Sequence, residues 1–133
     1  MASRSLYDLR FEMQPLAERF VTAAAASGID MLVTCTLRTN AEQEQLYAQG
    51  RTVPGSIVTD ARPGFSAHNH GLAMDVVPIV AGKCVWNTAD PAWRTLGALG
   101  QAAGLDWAGA PGFPFHEFPH FQMPNWRQLA GLE

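Results

Sequence analysis

The chain has 133 residues, of which 47% are apolar and 10% aromatic. That length and composition suit one domain, 1–133, with a real core, and exclude wholesale disorder, since chains divide well above this size, at roughly 250–300 residues. The 9 basic and 12 acidic side chains leave a formal charge of −3, which argues against nucleic acid as a partner, because such binders carry a clustered basic face.

Met1 to Asp8 lack the apolar stretch of a signal peptide, and no run approaches the roughly 18–20 apolar residues of a membrane span. Synthesis in the cytoplasm without a signal peptide, and no stable membrane insertion, are therefore expected. Leu6 to Met13 reads as a separate short turn, because Pro15 interrupts any longer helix. From Pro15 to Ser27 a helix is predicted, with Leu16, Phe20, Val21 and Ala24 on its apolar face, Pro15 in the first turn and Gly28 after its end. Ile29 to Leu37 is β-branched and apolar, hence a strand. Thr39 and Glu42 have capping-box spacing before a helix from Asn40 to Gln49. Arg51 to Phe65, with Pro54, Gly55, Pro63 and Gly64, is a loop of the length that usually carries function.

Leu72 to Val80 and Lys83 to Trp86 read as strands joined by a tight turn at Ala81-Gly82. Asp90 and Pro91 start another helix, closed by Gly104, with Trp93, Leu96, Leu99 and Ala103 as its stripe. Asp106 to Phe115 is expected to be irregular, His120 to Met123 a last strand, and Pro124 to Ala130 a helical turn. The antiparallel hairpin and the incomplete alternation of elements indicate an α+β fold, a small antiparallel sheet flanked by helices. Cys35 and Cys84 are too few for a disulfide scaffold and read as buried or inert thiols, unless adjacent strands bring them together.

All 4 histidines lie in two short segments, His68/His70 and His116/His120, each beside a carboxylate, Asp75 or Glu117. Imidazole and carboxylate suit zinc, and a catalytic zinc takes three protein ligands and leaves one position open. Two histidines and one Asp or Glu would supply that set. His68 and His70 share a face if extended, so spacing leaves both open. Asp75 sits in a strand with Ala73 and Val77 on its own face; the alternative to a ligand is a salt-bridged strand residue. Glu117 and His120 can point into one site only if Glu117 lies in the loop before the strand, which Pro119 permits. A Glu so placed can act as a general base, or can be merely a solvated loop carboxylate.

The pattern Ser66-x-His68-x-x-Gly71-x-Ala73-x-Asp75 followed by Glu117-x-Pro119-His120 resembles the zinc peptidases that cut peptidoglycan stem peptides. These are the D-alanyl-D-alanine carboxypeptidases and L-alanyl-D-glutamate endopeptidases, whose fold is shared with the hedgehog signalling domain. The run Leu37-Arg38-Thr39-x-x-Glu42-Gln43-x-x-Leu46-Tyr47-x-x-Gly50-Arg51 is similar to the arginine-bearing segment of that family. The resemblance covers about Pro15 to Gln122. It implies one zinc ion held by His68, Asp75 and His120, with Glu117 as base in a position where many relatives carry Asp.

The same resemblance gives Arg38 a role in holding a substrate carboxylate or an oxyanion, against the alternative of a surface ion pair with Glu42. Ser66, Gln43, His70 and Trp107 become candidate substrate contacts, with Phe113 and Phe115 as further cleft candidates and core packing the alternative for the aromatics. His116 is the weaker of the two extra histidines. The implied function is hydrolysis of stem peptides, most like an L-alanyl-D-glutamate endopeptidase serving as a monomeric phage endolysin, released to the peptidoglycan by a holin-type partner. A D-Ala-D-Ala carboxypeptidase or dipeptidase, or a non-catalytic wall-binding module that holds metal, are the alternatives.

Overall fold

Pro15 in the first turn and Gly28 at φ +79° bracket α1 (Gln14–Ala26) in the computed structural model, which describes all 133 residues. The buried positions of α1 are Ala17, Phe20 and Ala24, while Leu16 and Val21 are half-buried. The core stripe is thus rotated from the expected one, with Ala17 in it and Leu16 and Val21 at its edges. Strand β1 (Asp30–Cys35) follows, then α2 (Asn40–Ala48), whose Thr39–Glu42 capping box is formed in full. Ala67–His70 is a single 3-10 turn and not an extended segment, so His68 and His70 do not share a face.

Strand β2 (Ala73–Val80) turns through Ala81 and Gly82, both at positive φ, into β3, which is shorter than predicted at Lys83–Cys84. Helix α3 (Pro91–Ala102) is capped by the Asp90 side chain. Asp106–Trp107, expected to be irregular, forms β4; β5 (His120–Gln122) and a short α4 (Trp126–Leu129) complete the chain. Two residues carry no detectable period, and β4 exists because its partner β5 pairs with it.

Every strand pairing is antiparallel, in the order β1-β2-β5-β4, with β3 on the far end of β2. This is the expected α+β sheet. Its core face carries Met74, Val76, Phe121 and Trp107 against Phe20 and Leu96 of the helices. Phe20 and Phe121 lie 4.6 Å apart, a pairing worth about 0.5–1.5 kcal/mol beyond the area it buries. Gly97 and Gly100 let α3 approach: a Cβ at either would collide with the Trp107 or Phe121 ring. Alternation then sends Ala73, Asp75, His120 and Gln122 to the opposite face. Cys35 is buried, Cys84 is exposed, and they do not pair. No helix is long and apolar enough to cross a membrane.

Candidate active site

The site is assembled by two strands and one turn. Asp75 on β2 and His120 on β5 are direct cross-strand partners, and Cys35 faces Asp75 from β1 across a register shift. The 3-10 turn is fixed at its start by reciprocal bonds between Ser66 and Asn69, and at its end by Gly71 in the left-handed region. A Cβ on Gly71 would press on the Arg10 backbone at 3.0 Å, so the turn demands glycine there. The Arg38 N–H donates to the His68 carbonyl at 3.0 Å, tying the turn to the end of β1.

Each ring nitrogen in the cluster has a defined neighbour. His68 Nδ1 lies 2.8 Å from the Thr36 carbonyl oxygen, which can only accept, so Nδ1 carries the hydrogen. His68 Nε2 lies 3.1 Å from Asp75 Oδ1, and His120 Nδ1 lies 3.1 Å from the same oxygen. His120 Nε2 faces Gln122 Oε1 at 2.8 Å. Two imidazole nitrogens converging on one carboxylate oxygen require positive charge among them, which protons or a cation can supply. Burial disfavours a charged His68, but the Asp75 carboxylate outweighs it and holds the imidazole pKa up to about 10. Burial likewise would raise Asp75, yet the His68 charge and bonds from both imidazoles keep its carboxyl well below the usual range.

Glu117 lies in the loop before β5, as a shared site requires. Its N–H donates to Ala108 at 3.3 Å, and its carbonyl accepts from the His120 N–H at 3.2 Å across the turn at Pro119. The Glu117 side chain is exposed and lines a cleft of about 690 Å³, together with His68, Asp75, His120 and Arg38. The 51–65 loop contributes Ile57, Val58 and Phe65 to the lining of that cleft, and Phe115 lines it too, edge-on to His120 at 5.3 Å.

Arg38 is half-buried and has no carboxylate partner. It donates to Gln43 Oε1 at 3.1 Å and to Cys35 Sγ at 3.5 Å. The surface pair with Glu42 does not form, since Glu42 takes the Thr39 N–H and lies 3.2 Å from the N-terminal ammonium. Ser66 both caps the turn and lines the cleft.

Three candidate substrate contacts fall elsewhere. Gln43 is fully buried; its amide donates to the Ala61 carbonyl at 2.8 Å, so it braces the loop and Arg38 and does not face the cleft. Trp107 is in the core, stacked on Phe118 and Phe121, with its indole N–H donated to the Phe118 carbonyl. His70 bonds the Gly64 carbonyl at 2.7 Å and packs on Trp126. Of the other aromatics, Phe115 lines the cleft, and Phe113 supports it edge-on at 4.9 Å. His116 is exposed against Phe118.

Sequence reasoning missed Cys35 and Gln122. Cys35, His68 and Asp75 each bring a donor atom within 4.8 Å of the others. The only available signal for Cys35 was its register opposite Asp75. For Gln122 it was the two-residue spacing from His120, which in a strand means a shared face.

The donor set suits a catalytic zinc, with two neutral-capable imidazoles and one carboxylate. Cys35 Sγ lies 3.5 Å from His68 Nδ1, on the side of the ring facing Thr36, and does not line the cleft. Of His120 and Cys35, only His120 lines the cleft.

Among known proteins, the VanY D-alanyl-D-alanine carboxypeptidase family model matches residues 7–107. The peptidoglycan L-alanyl-D-glutamate endopeptidase CwlK of Bacillus subtilis is 35% identical over 127 residues, covering 89% of this chain and 75% of that protein. The L-alanyl-D-glutamate peptidase of Escherichia phage T5 is 30% identical over 115 residues, covering 80% and 77%. In fold, the L-Ala D-Glu endopeptidase ChiX of Serratia marcescens superposes with a TM-score of 0.69 at 19% identity, over 98% of this chain and 92% of that one. A vancomycin-resistance D,D-pentapeptidase VanY in complex with Zn(II) gives 0.64 at 17% identity, over 92% and 78%. The family match ends at Trp107, so Glu117 and His120 join the cluster through the fold.

Proposed function

The chain belongs to the VanY D-alanyl-D-alanine carboxypeptidase family, and from that premise we propose that it is a zinc peptidase of peptidoglycan stem peptides that cleaves between L-alanine and D-glutamate. The observation that carries this reading is one cleft in which His68, Asp75 and His120 converge, lined also by Glu117 and by Arg38, which has no carboxylate partner. His68, Asp75 and His120 hold one zinc ion, which when bound supplies a Lewis acid and brings the pKa of water down to about 7.

Glu117 takes the proton of the attacking water and returns it to the leaving amine, a role that needs an exposed carboxylate on a short tether. Arg38 holds a substrate carboxylate, since its guanidinium is fixed by Gln43 and makes no ion pair within the chain. Ser66 and Phe115 border the bound peptide.

The endopeptidase is favoured over a carboxypeptidase by two observations. The Bacillus subtilis relative is named an L-alanyl-D-glutamate endopeptidase and the Escherichia phage T5 relative an L-alanyl-D-glutamate peptidase. The lining residues Ile57, Val58, Asp60, Phe65, Phe115 and Glu117 are exposed, and such an accessible lining suits an extended peptide. A role in host lysis, as a monomer that reaches the wall through a lesion made by a holin-type partner, belongs to the same proposal and rests on likeness to the phage enzyme. Glu117 speaks against a non-catalytic wall-binding module, which has no use for a base there.

Digestion of purified peptidoglycan with zinc-loaded protein, read by mass spectrometry, tests the reading. New L-alanine C-termini with free D-glutamate amines are expected. Release of D-alanine would instead assign a carboxypeptidase, and no chelator-sensitive release would remove the peptidase reading.

A further inference from the structure

We propose that Gln122 is a positioning residue that fixes the tautomer of His120 and thereby presents Nδ1 for metal binding; this rests on the zinc site proposed above. A neutral imidazole can ligate through only one nitrogen, and the hydrogen bond made by the other decides which. In this site the two histidines present opposite nitrogens to Asp75, His68 through Nε2 and His120 through Nδ1. Each therefore needs its own acceptor on the other side of the ring. For His68 the backbone supplies it, through the Thr36 carbonyl at 2.8 Å. For His120 a side chain does, through Gln122 Oε1 at 2.8 Å.

The strand makes Gln122 suited to this. Residues 120 and 122 point to the same face of β5, while Phe121 between them is buried in the core. The Gln122 backbone is held on both edges, opposite Ala73 of β2 and Asp106 of β4, so the side chain starts from a fixed point. Ala73, with only a methyl side chain, does not compete for the space beside it. The consequence is an asymmetry: the orientation of His68 withstands side-chain substitution, because its acceptor is main chain, whereas that of His120 depends on one replaceable amide.

The test measures the zinc dissociation constant by chelator competition, with side-chain ¹⁵N NMR of the zinc-loaded protein. Wild type should bind one zinc, lose it in His120→Ala, and show His120 protonated at Nε2. Gln122→Leu keeps the bulk but removes the acceptor and should weaken zinc about 10–100-fold, the usual loss on removing such a partner. Gln122→Glu should restore affinity to the wild-type level or better, which a purely structural role would not predict. Wild-type affinity in Gln122→Leu, failed rescue by Gln122→Glu, or protonation of His120 at Nδ1 would each overturn the inference while leaving the zinc site standing. If wild type bound no zinc, or His120→Ala kept it, the site itself would fall and the inference with it.

Discussion

Replacing Gln43 by alanine separates a buried brace from a substrate contact. Gln43 is fully buried, with one strong bond to the Ala61 carbonyl at 2.8 Å and one from Arg38 at 3.1 Å. Its contacts to Thr59 and Asn69, at 3.4 and 3.5 Å, are too long to count. The bond to Ala61 is worth about 1 kcal/mol net, and the Arg38 bond about the same, because a half-buried guanidinium can turn to water. One buried methylene is lost, since alanine keeps the Cβ, and is worth about 0.8 kcal/mol. Alanine avoids about 1.5 kcal/mol of side-chain ordering, which offsets part of the loss. Gln43→Ala should therefore destabilise the protein by about 1.3 kcal/mol, lowering a urea midpoint by roughly 0.6 M at a slope of about 2 kcal/mol/M. Equilibrium urea unfolding of zinc-loaded protein measures it, and kcat/KM should fall alongside, since the cleft wall at 59–61 and Arg38 both loosen. Unchanged stability with a raised KM would mean that Gln43 reaches the substrate, and would refute the brace.

Four further outcomes are expected. Glu117→Gln should retain zinc but lose about 10²–10⁴-fold in kcat on peptidoglycan fragments, the usual worth of a general base. Arg38→Ala should raise KM about 10-fold or more for substrates bearing the free carboxylate, corresponding to about 1.5–3 kcal/mol for a bond to a charged group, and should lose little on an amidated substrate. Cys35→Ser should leave the zinc stoichiometry at one; loss of the ion would move the ligand set to Cys35, His68 and Asp75. Gly100→Ala places a methyl group in the Phe121 ring. Overpacking of about 1–3 kcal/mol exceeds the roughly 1 kcal/mol gained in helix propensity, so its melting temperature should fall rather than rise.

The helices and the site motifs were legible in the sequence because each has a local cause. Thr39–Glu42 and Asp90 mark helix starts through side-chain caps, and Pro15 through its fixed φ in a first turn, none of which needs tertiary context. His68, Asp75, His120 and Glu117 stood out because chemistry concentrates rare residue types. What stayed hidden depends on pairing. Strand β4 is two residues long and exists only against β5. Trp107 and Gln43 have side chains suited to either core or cleft, and only the packing of α3 and of the 51–65 loop decides which. Cys35 and Gln122 join the site through register and spacing that a linear reading passes over.

The most direct test of the zinc site is an anomalous difference map from crystals of zinc-loaded protein, collected on either side of the zinc edge. One peak in the cleft, in contact with His68 Nε2, an Asp75 carboxylate oxygen and His120 Nδ1 and facing Glu117, is predicted. A peak bonded to Cys35 behind His68, or none within the cleft, would contradict it.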